Sequence, residues 1–313
     1  MAEPETRPTP SAGVGLTGAV LVSMRPRQWT KNLLVFFALV FSFNEGWRLS
    51  DSSEAVDFAL RSFFAFAILC ALSGAVYLVN DLADVESDRR HSKKRDRPIA
   101  SGELPAALAW STAATLIVSG LAVSFVLEPT FGLVAAVYVA LMLAYSHTLK
   151  RVVLIDVFSI SAGFVLRAVA GAVVLSVPIS PWLYTCTALG ALLIALGKRR
   201  SELVNAGPDA GGQRTALQYY TVGLLDQFIA IVAPSTLLAY TLYTFTASNL
   251  PEDHSMMLTI PFVVYGMFRY IYLVHAKDLG ENPEELLVTD VPLIVSNVGW
   301  LVTAVTILAV ARA

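Results

Sequence analysis

Nine apolar stretches, each near the ~20 residues a helix needs to cross a bilayer, limit what this chain can fold into. They fall at about 32–49, 58–80, 106–127, 130–146, 154–176, 181–197, 221–247, 257–275 and 291–311. The expected fold class is therefore all-α, a polytopic membrane protein with nine transmembrane helices in one bundle. Composition agrees: 56% of the 313 residues are hydrophobic, 15% are charged, and mean hydropathy is +0.63, unlike a soluble domain. A net charge of −2 gives no bulk basic signal, so nucleic acid is not an expected partner and the bilayer is. Cys70 and Cys186 lie inside apolar runs and read as small core residues. Residues 1–20 read as a disordered tail, rich in Pro and Glu and lacking a signal-peptide core. Residues 21–313 read as a single membrane domain.

Charge placement orients the bundle. With the N-terminus in the cytoplasm, the inner side receives Arg7 to Lys31, Arg89 to Arg97, Lys150 and Arg151, Lys198 to Arg214, and Arg269 with Lys277. That is 18 of the 22 Lys and Arg residues, the asymmetry of the positive-inside rule. The opposite loops are acidic or neutral, with Glu45, Asp51, Glu54, Glu128, Glu252 and Asp253. Polar chemistry gathers in four inner segments, 80–102, 145–156, 197–220 and 276–290, so the expected site opens to the cytosol.

The densest of these is Asn80-Asp81-Leu82-Ala83-Asp84-Val85-Glu86-Ser87-Asp88. On a helix, positions 81, 84 and 88 share one face. Glu86 has Arg89 and Arg90 one turn on and is explained as a solvated pair, whereas the three aspartates have almost no cation at helical spacing. Two carboxylates ~6 Å apart repel by about 3 kcal/mol at an effective dielectric near 20. A hard divalent cation reverses that sign, and Mg²⁺ prefers carboxylate ligands. Asp81, Asp84, Asp88 and Asn80 are the candidate metal ligands; a merely solvated acidic face is the alternative.

Cations surround this edge. The basic turn His91 to Gly102 carries Lys94, Arg95 and Arg97, and Pro98 and Gly102 make it a fixed turn. Arg25, Arg27 and Lys31 precede the first apolar run beside Trp29; they suit either a phosphate or an interfacial anchor. Tyr145 and Lys150 end the fourth run. Arg167 shares a face with Asp156, eleven residues earlier, and an intramembrane arginine marks either a site or a buried structural partner. Lys198 and Arg199 are followed by Glu202, with which Lys198 can pair at i+4. In the last inner segment Asn282, Pro283, Glu284 and Glu285 read as helix-start chemistry. No GxxxxGK[ST] loop, GxSxG elbow or zinc-spaced histidine set occurs.

Asn80-Asp81-x-x-Asp84-x-x-x-Asp88 followed by Lys94-Arg95-x-Arg97-Pro98-Ile99-Ala100-Ser101-Gly102 resembles the first aspartate motif of the UbiA-type intramembrane prenyltransferase superfamily. Arg25-Pro26-Arg27-Gln28-Trp29-x-Lys31-Asn32, Val76 to Asp81, and Gly197-Lys198-Arg199-x-x-Glu202-Leu203 are similar to one branch of it, the decaprenyl-phosphate phosphoribosyltransferases. These act early in making the arabinose donor of mycobacterial-type cell walls. Where prenyl-diphosphate users carry a second acidic motif, this chain has one acid among three bases, at 197–202.

The resemblance implies a Mg²⁺-dependent transferase of the bacterial inner membrane, with phosphoribosyl diphosphate (PRPP) as donor and a polyprenyl phosphate as acceptor. It implies catalytic roles for Asp81, Asp84, Lys198 and Arg199. Arg25, Arg27, Lys31, Asn80, Lys94, Arg95, Arg97, Tyr145, Lys150, Arg167 and Glu202 would bind substrate. A homotrimer would fit that branch. Prenylation of an aromatic ring by a prenyl diphosphate is the alternative activity.

Overall fold

The computed structural model describes residues 15–43, 46–48, 51–90, 94–178, 181–206, 215–247 and 250–311. Their regular structure is helical, with no strand among them. Helix α1 covers Leu16–Ser23. A 3-10 run, Pro26–Val35, continues into α2, Phe36–Phe41. Next come α3 (Ser52–Ala83), α4 (Val85–Arg90), α5 (Pro98–Ser101), α6 (Ala106–Leu127), α7 (Pro129–His147), α8 (Ile155–Val174) and α9 (Pro181–Ala206). The chain ends with α10 (Val222–Thr246), α11 (Ile260–Ala276), α12 (Pro283–Thr289) and α13 (Val291–Ala311).

Seven helical segments are long and apolar enough to cross a membrane: α3, α6, α7, α8, α10, α11 with the preceding turn from Ser255, and α13. The run expected at 181–197 is the helix α9, diluted by Pro181, Trp182 and Tyr184 at one end and Lys198 at the other. The run expected at 32–49 is not one α-helix: it is the end of the 3-10 run plus six α-helical residues ending at Phe41. Residues 44, 45, 49 and 50 of that run lie outside the described residues.

The two largest of four apolar clusters among the described residues fill the two halves of the bundle. Val35, Leu69, Leu72, Phe131 and Tyr138 pack together in one half; Leu196, Leu217, Leu225, Tyr270 and Leu293 pack in the other. Outward-facing Val118, Val126, Ile231, Phe268 and Val302 are exposed apolar side chains, as expected where lipid, rather than water, is the solvent. Close packing between helices needs small residues. A Cβ on Gly171 of α8 would stand 2.1 Å from the Val35 carbonyl oxygen, so only glycine lets the 3-10 run lie this close.

That run matters because its period is three, which eclipses side chains at i and i+3. Arg25, Gln28 and Lys31 line one edge and are half-buried, whereas Arg27, Thr30 and Leu33 line another and are exposed. Arg25 itself has left-handed backbone, φ +54°, and its carbonyl accepts from Gln28 N at 2.8 Å.

Candidate functional site

Helix α3 starts on Asp51, whose side chain accepts from the Ser53 and Glu54 amides. It carries Asn80 and Asp81 to its far end, then breaks at Asp84 before α4. The expected single helix through Asp88 is therefore two segments, joined by the Asp88 N–H bond to the Asp84 carbonyl at 2.8 Å. Asp81 and Asp88 are each 3% exposed, and burial of a carboxylate demands partners.

The partners come from distant sequence. Arg25 Nη2 donates to Asp81 Oδ1 at 2.5 Å and lies 4.8 Å from the centre of the Tyr77 ring. Arg97 Nη1 lies between two acids, 3.1 Å from Asp81 Oδ1 and 2.7 Å from Asp88 Oδ2. Lys150 Nζ donates to both Asp84 oxygens, at 2.9 and 2.7 Å, and lies 3.4 Å from Asn80 Oδ1. From residue 94 on the basic turn is fixed, as its composition implies: Pro98 opens α5, Gly102 closes it at φ +85°, and Arg89 Nε donates to the Ala100 carbonyl, while residues 91–93 lie outside the described residues. Lys94 is half-buried in the same turn, and Arg95 is exposed, 3.9 Å from Asp96. Arg27 is also exposed, on the outer edge of the 3-10 run.

This donor set admits a divalent ion in one mode. Mg²⁺ commonly takes one or two protein carboxylates and completes its shell with water and substrate phosphate oxygens. Asp81 and Asp88 already place oxygens on both sides of one cationic nitrogen, and Asp84 turns both oxygens to another. An all-protein cage is absent: no group of three His, Cys, Asp or Glu is arranged for a metal among the described residues. Arg97 or Lys150 would have to yield the carboxylates to an ion.

A second layer lies beside the first. Glu284 of α12 is 9% exposed; it accepts from Gln28 Nε2 and lies 3.7 Å from Lys31 Nζ. Burial favours the protonated acid, but Lys31, the Gln28 amide and Lys198 outweigh it and hold the Glu284 carboxyl below the usual carboxylate range. Lys31 is enclosed as well, within electrostatic reach of Glu284, Arg167 and Arg25. Lys198 on α9 feels Glu202 and Glu284 electrostatically, yet no ion pair or hydrogen bond engages its ammonium among the described residues.

Arg199 is built into the scaffold. It is 0% exposed: Nε donates to Asp156 Oδ2 at 2.7 Å, Nη1 to Glu202, and Nη2 to Tyr145 Oη at 3.2 Å. Tyr220 Oη donates to the other Asp156 oxygen at 2.7 Å and accepts from the Leu154 amide at 2.7 Å. Glu202 thus turns to Arg199, not in helical register to Lys198. Arg167 and Asp156 do not meet either. Arg167 donates to Asn32 Oδ1, the Gly163 carbonyl and Tyr138 Oη, at 2.8, 2.8 and 2.7 Å. Among the described residues no carboxylate lies within ion-pair distance of it.

Sequence reasoning missed Gln28 and the inward turn of Glu284. A period of three over Arg25, Gln28 and Lys31 was the available signal for the first. Glu284 had none, because a helix-start glutamate looks the same whether it faces water or a core. Below Pro283 and Tyr270 an apolar groove of about 220 Å³ runs past Ile194 and Phe262 to Trp300. It adjoins the polar layers and is not part of them.

Residues 49–288 match the family described as the UbiA prenyltransferase family. The chain is 34% identical over 308 residues to the decaprenyl-phosphate phosphoribosyltransferase of Mycolicibacterium smegmatis, covering 96% of this chain and 95% of that one. It is 33% identical over 291 residues to the decaprenyl-phosphate phosphoribosyltransferase of Corynebacterium glutamicum, covering 91% and 85%. A UbiA homologue from Archaeoglobus fulgidus solved with DMAPP and Mg²⁺ aligns with a TM-score of 0.70 at 17% identity, covering 93% of this chain and 99% of that one. A structure of a UbiA homologue from the same organism with Cd²⁺ aligns at 0.66 and 15%, with the same coverage. At these identities the structural likeness shows the fold.

Proposed function

The chain belongs to the UbiA prenyltransferase family and is a transferase, and from that premise we propose that it moves 5-phosphoribose from PRPP to a polyprenyl phosphate. Pyrophosphate is released, and Mg²⁺ is the cofactor. The observation that carries this reading is likeness along nearly the whole chain to decaprenyl-phosphate phosphoribosyltransferases. The polar layers support it, since they offer more buried cations than two phosphate-bearing substrates could leave unused.

In the reaction an acceptor phosphate oxygen attacks ribose C1 as the C1–O bond to the diphosphate breaks. The bonding pair leaves with pyrophosphate, and attack from the opposite face inverts C1. The acceptor is already an anion at neutral pH, so no strong general base is needed. Asp81, Asp84, Asp88 and Asn80 would hold Mg²⁺, which when bound neutralises charge on the departing pyrophosphate. Arg97 and Lys150 would turn from the aspartates to phosphate oxygens. Lys94 and Arg95 flank them. Arg25, Lys31, Arg167 and Lys198 would bind the donor 5-phosphate and the lipid phosphate, with Arg27 at the rim. Arg199, held by Asp156, Tyr145 and Glu202, positions its neighbour Lys198.

The groove below Pro283 gives the lipid tail an apolar path. The chain would cross a bacterial inner membrane nine times with its N-terminus in the cytoplasm. Ten 3-10 residues and six α-helical ones from Pro26 to Phe41 reach about 29 Å, close to a bilayer core. Helix α9 supplies another crossing.

The test is incubation of the purified protein with Mg²⁺, ribose-labelled PRPP and polyprenyl phosphate. Label should enter the lipid phase and pyrophosphate should be released in equal amount. No transfer from PRPP, with turnover of a prenyl diphosphate onto an aromatic acceptor instead, would replace this reading by the prenylation alternative.

A further inference from the structure

A carboxylate inside an anion site needs a reason. Glu284 stands beside Lys31 and within electrostatic reach of Lys198, where a site for phosphates alone would gain by having no acid. Two features of its setting point to a ligand. Oε2 is buried and receives no hydrogen bond from any described residue, and a buried acceptor left in that state is costly. Among the described residues, the Lys31 ammonium beside it has only its 3.7 Å contact with that oxygen, and the Lys198 ammonium has no ion pair or hydrogen bond. Donors and an acceptor without hydrogen bonds therefore lie close together. Tyr77 is within electrostatic reach of Glu284, Arg25, Arg167 and Tyr145, which ties this cluster to the aspartate edge.

A prenyl diphosphate would satisfy the ammonium donors only, since it carries acceptor oxygens and a hydrocarbon. A phosphorylated sugar satisfies both, with phosphate oxygens for the lysines and a hydroxyl for the carboxylate. We propose that Glu284 is the specificity-determining residue that accepts a hydrogen bond from a ribose hydroxyl of the phosphorylated donor, while Lys31 and Lys198 hold an adjoining phosphate. This rests on the transfer reaction proposed above and adds the means by which a sugar donor is told from a prenyl one.

The placement of Glu284 is fixed from both sides. Gly280 packs so closely on α9 that a Cβ would lie 2.6 Å from Ser201 Oγ and 2.9 Å from the Gly197 carbonyl oxygen. The Gly280 amide donates to Ser201 Oγ at 3.1 Å. Gln28 then grips the carboxylate from the 3-10 edge. A side chain held this way can reject a donor lacking the hydroxyl, because the rejected complex leaves a buried charged acceptor unpaired.

The experiment compares kcat/KM for PRPP with that for analogues lacking the 2- or the 3-hydroxyl, in wild type, Glu284→Gln and Glu284→Ala, with Mg²⁺ and polyprenyl phosphate present. Wild type should prefer PRPP to at least one deoxy analogue by about 10- to 100-fold, the range of a hydrogen bond to a charged group. Glu284→Ala should reduce that preference to within a few-fold, and Glu284→Gln, which keeps an acceptor oxygen, should retain part of it. Equal preference in wild type and both variants overturns the proposal, whatever the overall loss of rate. If Glu284→Ala does not fold, a Glu284→Gln preference equal to that of wild type, or no discrimination against either analogue by wild type, overturns it as well. Failure of wild type to use PRPP at all would instead sink the transfer reaction itself, so the two failures are distinguishable.

Discussion

Asp81→Asn should lower turnover by at least about 100- to 1,000-fold, the scale on which one preorganised charge-stabilising group counts, while the protein remains folded. Asp81 Oδ1 holds both Arg25 and Arg97, and in the proposed reaction it exchanges them for metal-bound diphosphate. Asparagine keeps the shape and loses the charge that both exchanges need. Folding should suffer less. Arg97 keeps Asp88, Arg25 keeps the Tyr77 ring, and both guanidiniums, with side chains 27% exposed, can reach solvent. The check is kcat at saturating PRPP and Mg²⁺ beside a thermal melt of the same sample. Full activity in the variant would remove Asp81 from the site; lost activity with a collapsed melt would make its role structural.

The opposite pattern is expected at Asp156. Asp156→Ala should destabilise the protein by about 3–5 kcal/mol, because removing one partner of a buried pair strands the other charge. Arg199 and Asp156 are both 0% exposed, and the Tyr220 hydroxyl would lose its acceptor in the same step. The melting temperature in detergent or lipid should fall markedly, with any loss of rate following loss of folded protein. Replacing both charges, as Asp156→Leu with Arg199→Met, should recover much of the stability, since buried pairs are often matched by apolar residues of similar volume. An unchanged melt for Asp156→Ala would show that Glu202 alone neutralises Arg199, and that the pair does not brace α8 against α9.

How much of this was legible in the sequence depends on the range of the interaction concerned. Helices such as α6 and α13 are plain because a bilayer requires a long apolar run, and nothing else in the chain resembles one. The 26–35 segment was harder, since hydropathy does not separate a period of 3.0 from 3.6. That difference decides that Lys31 faces inward and Arg27 outward. The acidic edge could be located but its electrostatics could not. Inspection three and four residues along finds no cation for Asp81 or Asp84, whereas the fold delivers Arg25 and Arg97 to Asp81 from 56 and 16 positions away and Lys150 to Asp84 from 66. Asp156 and Arg167 do share a side of α8, yet each is claimed by a residue from another helix or loop, Arg199 by one and Asn32 by the other. Glu284 shows the limit most clearly. Its position in sequence is fully explained by helix-start chemistry, and only packing of α12 against the 3-10 edge turns it toward the lysines.

The central claim is that the end of α3 takes a divalent ion together with the diphosphate of the donor. Its most direct test is the dissociation constant for PRPP, measured on the purified protein with Mg²⁺ present and with the metal chelated, for wild type and Asp84→Asn. Binding to wild type should weaken by at least about tenfold, or 1.4 kcal/mol, when Mg²⁺ is withdrawn, and binding to the variant should be weak and indifferent to the metal. Equal affinity of wild type for PRPP with and without Mg²⁺ would contradict the claim.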